Sequence, residues 1–217
     1  MRFLETIRLE EGHFDNLAFH QERMDRTRKD LLHSAQKIDL GNHLIKELAV
    51  RSKDIVHLPG HPASHAREKE SKIFKCRVIY AEKILKIEFQ PYILPTIRAI
   101  KLVYAGDIEY AYKFEDRTAL NNLFAEKGEN DDILIVKRNE ITDTLYANVL
   151  FFDGSTWYTP RNPLLQGTRR ESLVREGKAV PAILTPADLS RFRTARVVNA
   201  MIRFEDRLDI QISNINP

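Results

Sequence analysis

The chain has 217 residues, 43% of them hydrophobic and 30% charged, enough apolar material for one large domain or two small ones. Its 34 basic and 31 acidic residues are interspersed and leave a formal net charge of +3, which argues against a dedicated nucleic-acid binder. The single cysteine, Cys76, excludes an intrachain disulfide, and no apolar run approaches the ~20 residues that span a bilayer.

The start, Met1-Arg2-Phe3-Leu4-Glu5-Thr6, lacks the apolar stretch and small-residue cleavage site of a secretory signal, so a cytoplasmic protein is expected. Phe3, Glu5, Ile7 and Leu9 alternate with Leu4, Thr6, Arg8 and Glu10, which predicts a strand with Glu11-Gly12-His13 as its hairpin turn. From Leu17 to Leu32 the residues Leu17, Met24, Leu31 and Leu32 recur at helical spacing amid charges, which predicts a surface amphipathic helix. A second helix is expected from Gly41 to Arg51, with Leu44, Ile45, Leu48 and Ala49 as its buried stripe. Asp54 to Ser71, with Pro59, Gly60 and Pro62, reads as a loop. It holds His57, His61 and His65 at equal spacing. Only a helix would align them, and the prolines oppose one, so no metal site is expected.

Lys72 to Gln90 predicts two strands around Ala81-Glu82-Lys83, with Cys76 as a buried, inert thiol on the first. Pro91 and Pro95 break the pattern, and Ala99 to Ala105 is a further strand. Tyr112-Lys113-Phe114-Glu115-Asp116-Arg117 opens a helix-like segment, and the helix proper, Glu115 to Lys127, shows Leu120, Leu123 and Phe124 on one face and ends at Gly128. Strands are expected at Ile133 to Val136, Leu145 to Phe152 and Thr156 to Thr159, the last two joined by an Asp153-Gly154 turn. Helices at Thr168 to Glu176 and Pro186 to Arg191, and a core strand at Ala195 to Asn199, complete an α+β pattern. The proline-rich stretch and Gly106 suggest two lobes, 1–105 and 106–217.

Five groups of residues carry chemistry. Lys113 stands ahead of Arg117 in Lys-Phe-Glu-Asp-Arg. Downstream comes Thr142-Asp143-Thr144-Leu145-Tyr146-Ala147-Asn148-Val149-Leu150, then Gly167-Thr168-Arg169 at the head of a helix, then Asn199-Ala200 after a buried strand; His20-Gln21-Glu22-Arg23 lies on the first helix. A helix N-terminus binds anions, and an arginine fork binds phosphate. That order and spacing, from Phe3 to about Ile202, resembles the class IV (fold-type IV) pyridoxal-phosphate enzymes: the branched-chain and D-amino-acid aminotransferases and 4-amino-4-deoxychorismate lyase.

The resemblance implies a two-lobed, D-amino-acid aminotransferase-like fold, with a small N-terminal α/β lobe and a larger, β-rich C-terminal lobe. It implies pyridoxal 5'-phosphate as cofactor, with Lys113 as its attachment point and as catalytic acid/base. Asp143, standing where the family has Glu, would face the ring nitrogen, or else only caps a turn before the strand. Arg23, Asn148, Gly167, Thr168, Arg169, Asn199 and Ala200 would complete the cofactor cradle. Arg77 and Tyr80 are candidates for the substrate side, and Tyr112 and Tyr146 either flank the cofactor or pack in the core. Most members have a further strand and Gly-rich turn before the residues matching Phe3 to Gly12, so part of the substrate-contacting segment is expected to be missing here. A Phe-x-Glu-Thr-Ile-Arg start and short length are most like 4-amino-4-deoxychorismate lyase, which releases pyruvate and leaves 4-aminobenzoate for folate synthesis. An aminotransferase of branched-chain or D-amino acids and a non-catalytic family member are the alternatives. The partners implied are a small amino substrate and a second copy of the chain in a homodimer, with no nucleic acid and no membrane.

Overall fold

A computed structural model describes residues 1–56 and 73–217, with side chains described to Arg51 in the first stretch. The His57/His61/His65 loop lies outside the described residues. The chain divides into two compact units, one of Met1–Leu94 with Lys113–Glu115, the other of Pro95–Tyr112 with Asp116–Pro217.

The first unit is built on a four-stranded antiparallel sheet. Its chain order is β1 (Phe3–Glu10), β2 (His13–Phe14), α1 (Leu17–Leu32), α2 (Leu40–Val56), β3 (Ile73–Tyr80) and β4 (Ile84–Pro91), and the sheet order is β2-β1-β3-β4. β1 pairs with β3 along its whole length, from Phe3↔Tyr80 to Glu10↔Ile73. The simple alternation expected of β1 gives way to burial on both faces: Phe3, Leu4, Glu5, Ile7, Arg8 and Leu9 are all buried, as befits an interior strand covered on both sides. β3 keeps its alternation, burying Phe74, Cys76, Val78 and Tyr80. Burial pushes the Cys76 thiol up to about 12, so it stays protonated and inert.

α1 has the bounds its periodicity predicts but buries a different face. His20, Arg23, Met24, Thr27 and Arg28 are buried, whereas Leu31 and Leu32 are half-buried. The reason is acceptors from the rest of the unit: Glu5 takes His20 and Arg23, while Arg28 donates to the carbonyls of Gln36 and Glu82. α2 begins at Leu40 and runs on through Asp54–Val56, residues that the sequence reading gives to the loop. Its expected stripe holds for Leu44, but Ile45 is 63% exposed.

The second unit carries β5 (Ile100–Tyr104), α3 (Thr118–Phe124), β6 (Asp132–Lys137), β7 (Glu140–Thr144), β8 (Asn148–Phe152), β9 (Trp157–Pro160), α4 (Thr168–Arg175), β10 (Val180–Ala182), β11 (Thr194–Val198), β12 (Asp209–Gln211) and β13 (Ile215–Asn216). The nine strands form one mixed sheet in the order β10-β9-β8-β7-β6-β5-β13, with β11 branching onto β8 and β12 onto β11. Its core is the aliphatic run Ile133–Val136 on β6 with Val149–Phe151 on β8 and Ala195, Val197 and Val198 on β11, all at 1% exposure or less. Such runs, buried on both faces, are what central strands require.

Two expectations are corrected here. The helix does not start at Lys113 or Glu115: it starts at Thr118, because the Asp116 carboxylate takes the Thr118 amide (2.9 Å) and hydroxyl (2.7 Å) and ends the irregular stretch before it. The strand expected from Leu145 starts only at Asn148. Thr144 and Ala147 close a turn, with Thr144 N donating to Ala147 O (2.9 Å) and Ala147 N to Thr144 Oγ1 (3.2 Å). The turn separates that strand from β7, which carries Asp143.

Candidate active site

Lys113 is in the first unit although its neighbours in sequence belong to the second. Its segment adds to the start of β1 as an isolated antiparallel bridge, Phe3↔Phe114. Leu4 N donates to Lys113 O at 2.9 Å and Glu115 N to Arg2 O at 3.0 Å. The Phe3 and Phe114 rings pack at 5.4 Å, so the backbone of Lys113 is stapled to the strand that carries Glu5.

Glu5 is the centre of a buried polar cluster. Its Oε1 accepts from Arg23 Nε (2.9 Å), and its Oε2 accepts from Arg23 Nη2 (2.5 Å) and lies 2.6 Å from His20 Nδ1. Glu5 and His20 are fully buried and Arg23 nearly so. Burial alone would raise the pKa of Glu5, but the Arg23 charge, with hydrogen bonds from His20 and Arg23, outweighs it and lowers it to about 2. Burial lowers the pKa of His20, with the Arg23 and Lys113 charges adding to that. The neutral ring therefore donates from Nδ1 to an ionised Glu5. The fork of Arg23, expected on a phosphate, has its Nε–Nη2 edge engaged by Glu5. Glu5 and His20 belong to the quoted motifs but have no role in the sequence reading, because a strand carboxylate and a helix histidine look like ordinary surface groups until the fold faces them.

Tyr80 is not on a substrate-facing surface: it is fully buried, and burial drives its hydroxyl pKa well up. Arg77 is half-exposed and pairs with Glu88 across β3 and β4 at 3.2 Å.

The second unit holds the remaining candidates. Asp143, near the end of β7, is 5% exposed. Its Oδ1 accepts from Asn148 Nδ2 (2.6 Å) and its Oδ2 from Leu165 N (2.9 Å). Burial raises its pKa to about 7, against these bonds, the attraction of Arg170 and a further contact from the Leu164 amide. So it does not cap a turn before a strand; it is a buried acid inside the sheet. Asn148 is its ladder partner, the one register pair between β7 and β8, and it also donates to Leu165 O (3.0 Å). Gly167, the N-cap of α4, stands so close to Asn148 that a Cβ there would lie 1.8 Å from Asn148 Oδ1. Thr168 and Arg170 are buried in the first turn of α4, where Arg170 donates to Pro160 O (2.7 Å) and Gln166 Oε1 (3.2 Å); Arg169 is half-buried. Arg170 has no role in the sequence reading beside Arg169, though the adjacent pair is a visible signal.

Asn199 closes the turn after β11. Its Oδ1 accepts from Met201 N (2.7 Å) and Ile202 N (2.9 Å), and its Nδ2 donates to Tyr146 O (3.1 Å). Its side chain is therefore a turn-former, and Ala200 follows it, half-buried, in the same turn. Tyr146 is 61% exposed and not a core residue; Tyr112 is half-buried.

These residues fit a cofactor with a protonated ring nitrogen and a phosphate. An ionised carboxylate has about four acceptor positions, so Asp143 keeps capacity for one more donor beyond Asn148, Leu165 and Leu164. Its raised pKa shows a buried charge that its own unit does not fully compensate, which a ring N–H⁺ would supply. α4 begins at Thr168 with Gly167 as its N-cap, and the positive end of a helix is where an anion is favoured.

Comparison with known proteins agrees. The family model described as amino-transferase class IV matches residues 115–204, beginning just beyond Lys113. A relative from Haemophilus influenzae, itself uncharacterised, is 32% identical over 197 residues, covering 91% of this chain and 96% of its own. The chain belongs to the class IV aminotransferase family. Members of this family are pyridoxal-phosphate-dependent enzymes. A crystal structure from Haemophilus somnus 129PT, provisionally named a 4-amino-4-deoxychorismate lyase, is 29% identical with a TM-score of 0.80, over 94% of this chain and 97% of that one. A protein from Mesorhizobium loti, provisionally named an amino-acid aminotransferase, shares the fold at 22% identity and a TM-score of 0.70, over 93% and 96%. So does a protein from Mycobacterium tuberculosis named a hypothetical aminotransferase, in its pyridoxal-phosphate-bound form, at 14% identity and a TM-score of 0.68, over 93% and 78%. The class IV resemblance of the sequence and the α+β, fold-type IV architecture are thus found. Among the described residues no helix is long and apolar enough to cross a membrane, and no group of three or more His, Cys, Asp or Glu could hold a metal ion.

Proposed function

We propose that this class IV chain binds pyridoxal 5'-phosphate and acts as a 4-amino-4-deoxychorismate lyase, releasing pyruvate and leaving 4-aminobenzoate. The observation that carries the cofactor part is Asp143, a buried carboxylate at the family's acidic position, held by Asn148 Nδ2 (2.6 Å) and Leu165 N (2.9 Å), with a pKa raised to about 7. The lyase part draws on the near full-length likeness to the Haemophilus somnus protein.

In this reading Lys113 is the attachment point, and its Nζ carries the proton that the reaction moves. Bound there, the cofactor supplies an electron sink. Asp143 holds a proton at the ring nitrogen, and Asn148 and Leu165 N keep its carboxylate aimed. The α4 N-terminus with Gly167, Thr168 and Arg169 and the Asn199-Ala200 turn would hold the phosphate, whereas Arg23 has its Nε–Nη2 edge on Glu5. A homodimer and a cytoplasmic location belong to the same reading.

Borohydride reduction of the purified protein with pyridoxal phosphate, followed by peptide mapping, tests it. A reduced adduct on the peptide containing Lys113 is expected. Lys113→Ala abolishes it, whereas Asp143→Ala keeps the adduct and loses turnover. No adduct, or one on another lysine, ends the reading. The second reading, an amino-acid aminotransferase, is favoured by the likeness to the Mesorhizobium loti protein. Amino-group transfer between an amino acid and a keto acid supports it, and pyruvate released from aminodeoxychorismate supports the lyase.

A further inference from the structure

We propose that Arg117 is a positioning residue for Asp143, acting through the turn Leu145-Tyr146-Ala147 that joins Asp143 to Asn148. The proposal deepens the cofactor reading and rests on it.

The turn is held through its main chain. Leu145 N donates to Asp132 Oδ1 (3.3 Å), and Leu145 O accepts from Arg117 Nη2 (2.6 Å). Tyr146 O accepts from Asn199 Nδ2 (3.1 Å), and Ala147 exchanges bonds with Thr144. The exposed Tyr146 ring adds little burial of its own, but the Arg117 guanidinium lies over it at 4.6 Å and over Tyr110 at 5.6 Å, with Nη1 reaching the Tyr110 hydroxyl at 3.4 Å. Of the bonds to the turn, the one from Arg117 is donated by a charged group, the stronger kind.

Arg117 also acts on the other end of Leu145. Asp132 is buried, which raises its pKa, and the Arg117 charge opposes that rise. Arg117 thereby favours the ionised carboxylate that accepts the Leu145 amide. Removing Arg117 loosens both ends of one residue, Leu145. The slack passes along two short links: back through Thr144 to Asp143, and forward through Ala147 to Asn148, whose amide holds the Asp143 carboxylate. A residue that only added general stability would not show this dependence on Asp143.

Two measurements on the full chain test the proposal, with Arg117→Ala and with Arg117→Met, which keeps the stem packing if the alanine variant fails to fold. The first is a double-mutant cycle on pyridoxal-phosphate affinity, read by absorbance titration. Either substitution weakens binding about tenfold, the factor one charged hydrogen bond is worth, and does so less than about twofold when Asp143 is already alanine. An equal penalty in both backgrounds, or none in either, overturns the proposal. The second needs no cofactor: hydrogen exchange at the Leu165 amide, which donates to Asp143, quickens about tenfold in the variant while core amides such as Ile135 keep their rates. An unchanged Leu165 rate overturns the positioning role. Failure of the wild type to bind pyridoxal phosphate, with a quickened Leu165 amide in the variant, instead sinks the cofactor reading.

Discussion

Gly167→Ala makes the sharpest test of the geometry around Asp143. Gly167 has φ −71° and ψ 138°, which any residue adopts, so backbone freedom is not why glycine stands there. In an ordinary place the change would stabilise by ~0.4–1 kcal/mol through the unfolded chain. Here the added Cβ would lie 1.8 Å from Asn148 Oδ1 and 3.0 Å from its Cγ. Asn148 cannot yield cheaply, because its Nδ2 holds Asp143 at 2.6 Å and Leu165 O at 3.0 Å. Moving it forfeits one hydrogen bond to a charged group and one to a neutral carbonyl, together about 3 kcal/mol. Asn148→Ala forfeits the same two bonds and costs about the same. The double variant has no amide left to collide with, so it also costs about 3 kcal/mol rather than the sum of about 6. Urea unfolding of the protein without cofactor, at constant m-value, measures all three. A stable Gly167→Ala, or a double variant that pays the full sum, refutes the claim that Asn148 is why residue 167 carries no side chain.

Glu5→Ala leaves the Arg23 charge buried beside a neutral His20 and is expected to cost about 3–5 kcal/mol in the same unfolding assay, with Glu5→Ala/Arg23→Met recovering much of it. Because the pKa of Glu5 falls from its ordinary 4.5 to about 2, its contribution is present above 4.5 and is lost as pH drops through about 2. Asp143 runs the other way. Its pKa rises from 3.8 to about 7, so the protein without cofactor loses stability as pH climbs across that window. The loss is on the order of 4 kcal/mol at about 1.4 kcal/mol per unit, and Asp143→Ala removes that slope from a plot of stability against pH. An unchanged slope in the variant would assign the titration to another group.

What the sequence made legible follows from where the signal is local. α1 and α4 have period and end signals, and the Asp153-Gly154 turn does its work within four residues: the Asp153 carboxylate takes the amides of Ser155 and Thr156 at 2.8 Å each. The face that α1 buries was hidden, because the acceptors that make His20, Arg23 and Arg28 interior come from β1 and from the segments after α1 and β3. The bounds of β7 were hidden for a related reason: its polar residues are satisfied by distant groups, Thr142 by Ile135 O and Asp143 by Leu165 N. The short strands β10, β12 and β13 carry two or three residues each, too few for a period to show. The candidate residues Lys113, Asp143, Asn148 and Gly167 were legible as an ordered motif. The roles of their supports, Glu5, His20, Arg170 and Leu165 N, were not, since the partners that define them lie far away in sequence.

The bridge between Phe3 and Phe114 bears on how this protein can be dissected. Residues 113–115 count with the N-terminal unit while the chain on both sides of them counts with the other, so no single scission yields two complete pieces. A C-terminal fragment expressed alone would carry Lys113 without the strand edge that seats it, and a fusion tag at Met1 adjoins Arg2 and Leu4, which hold the backbones of Glu115 and Lys113.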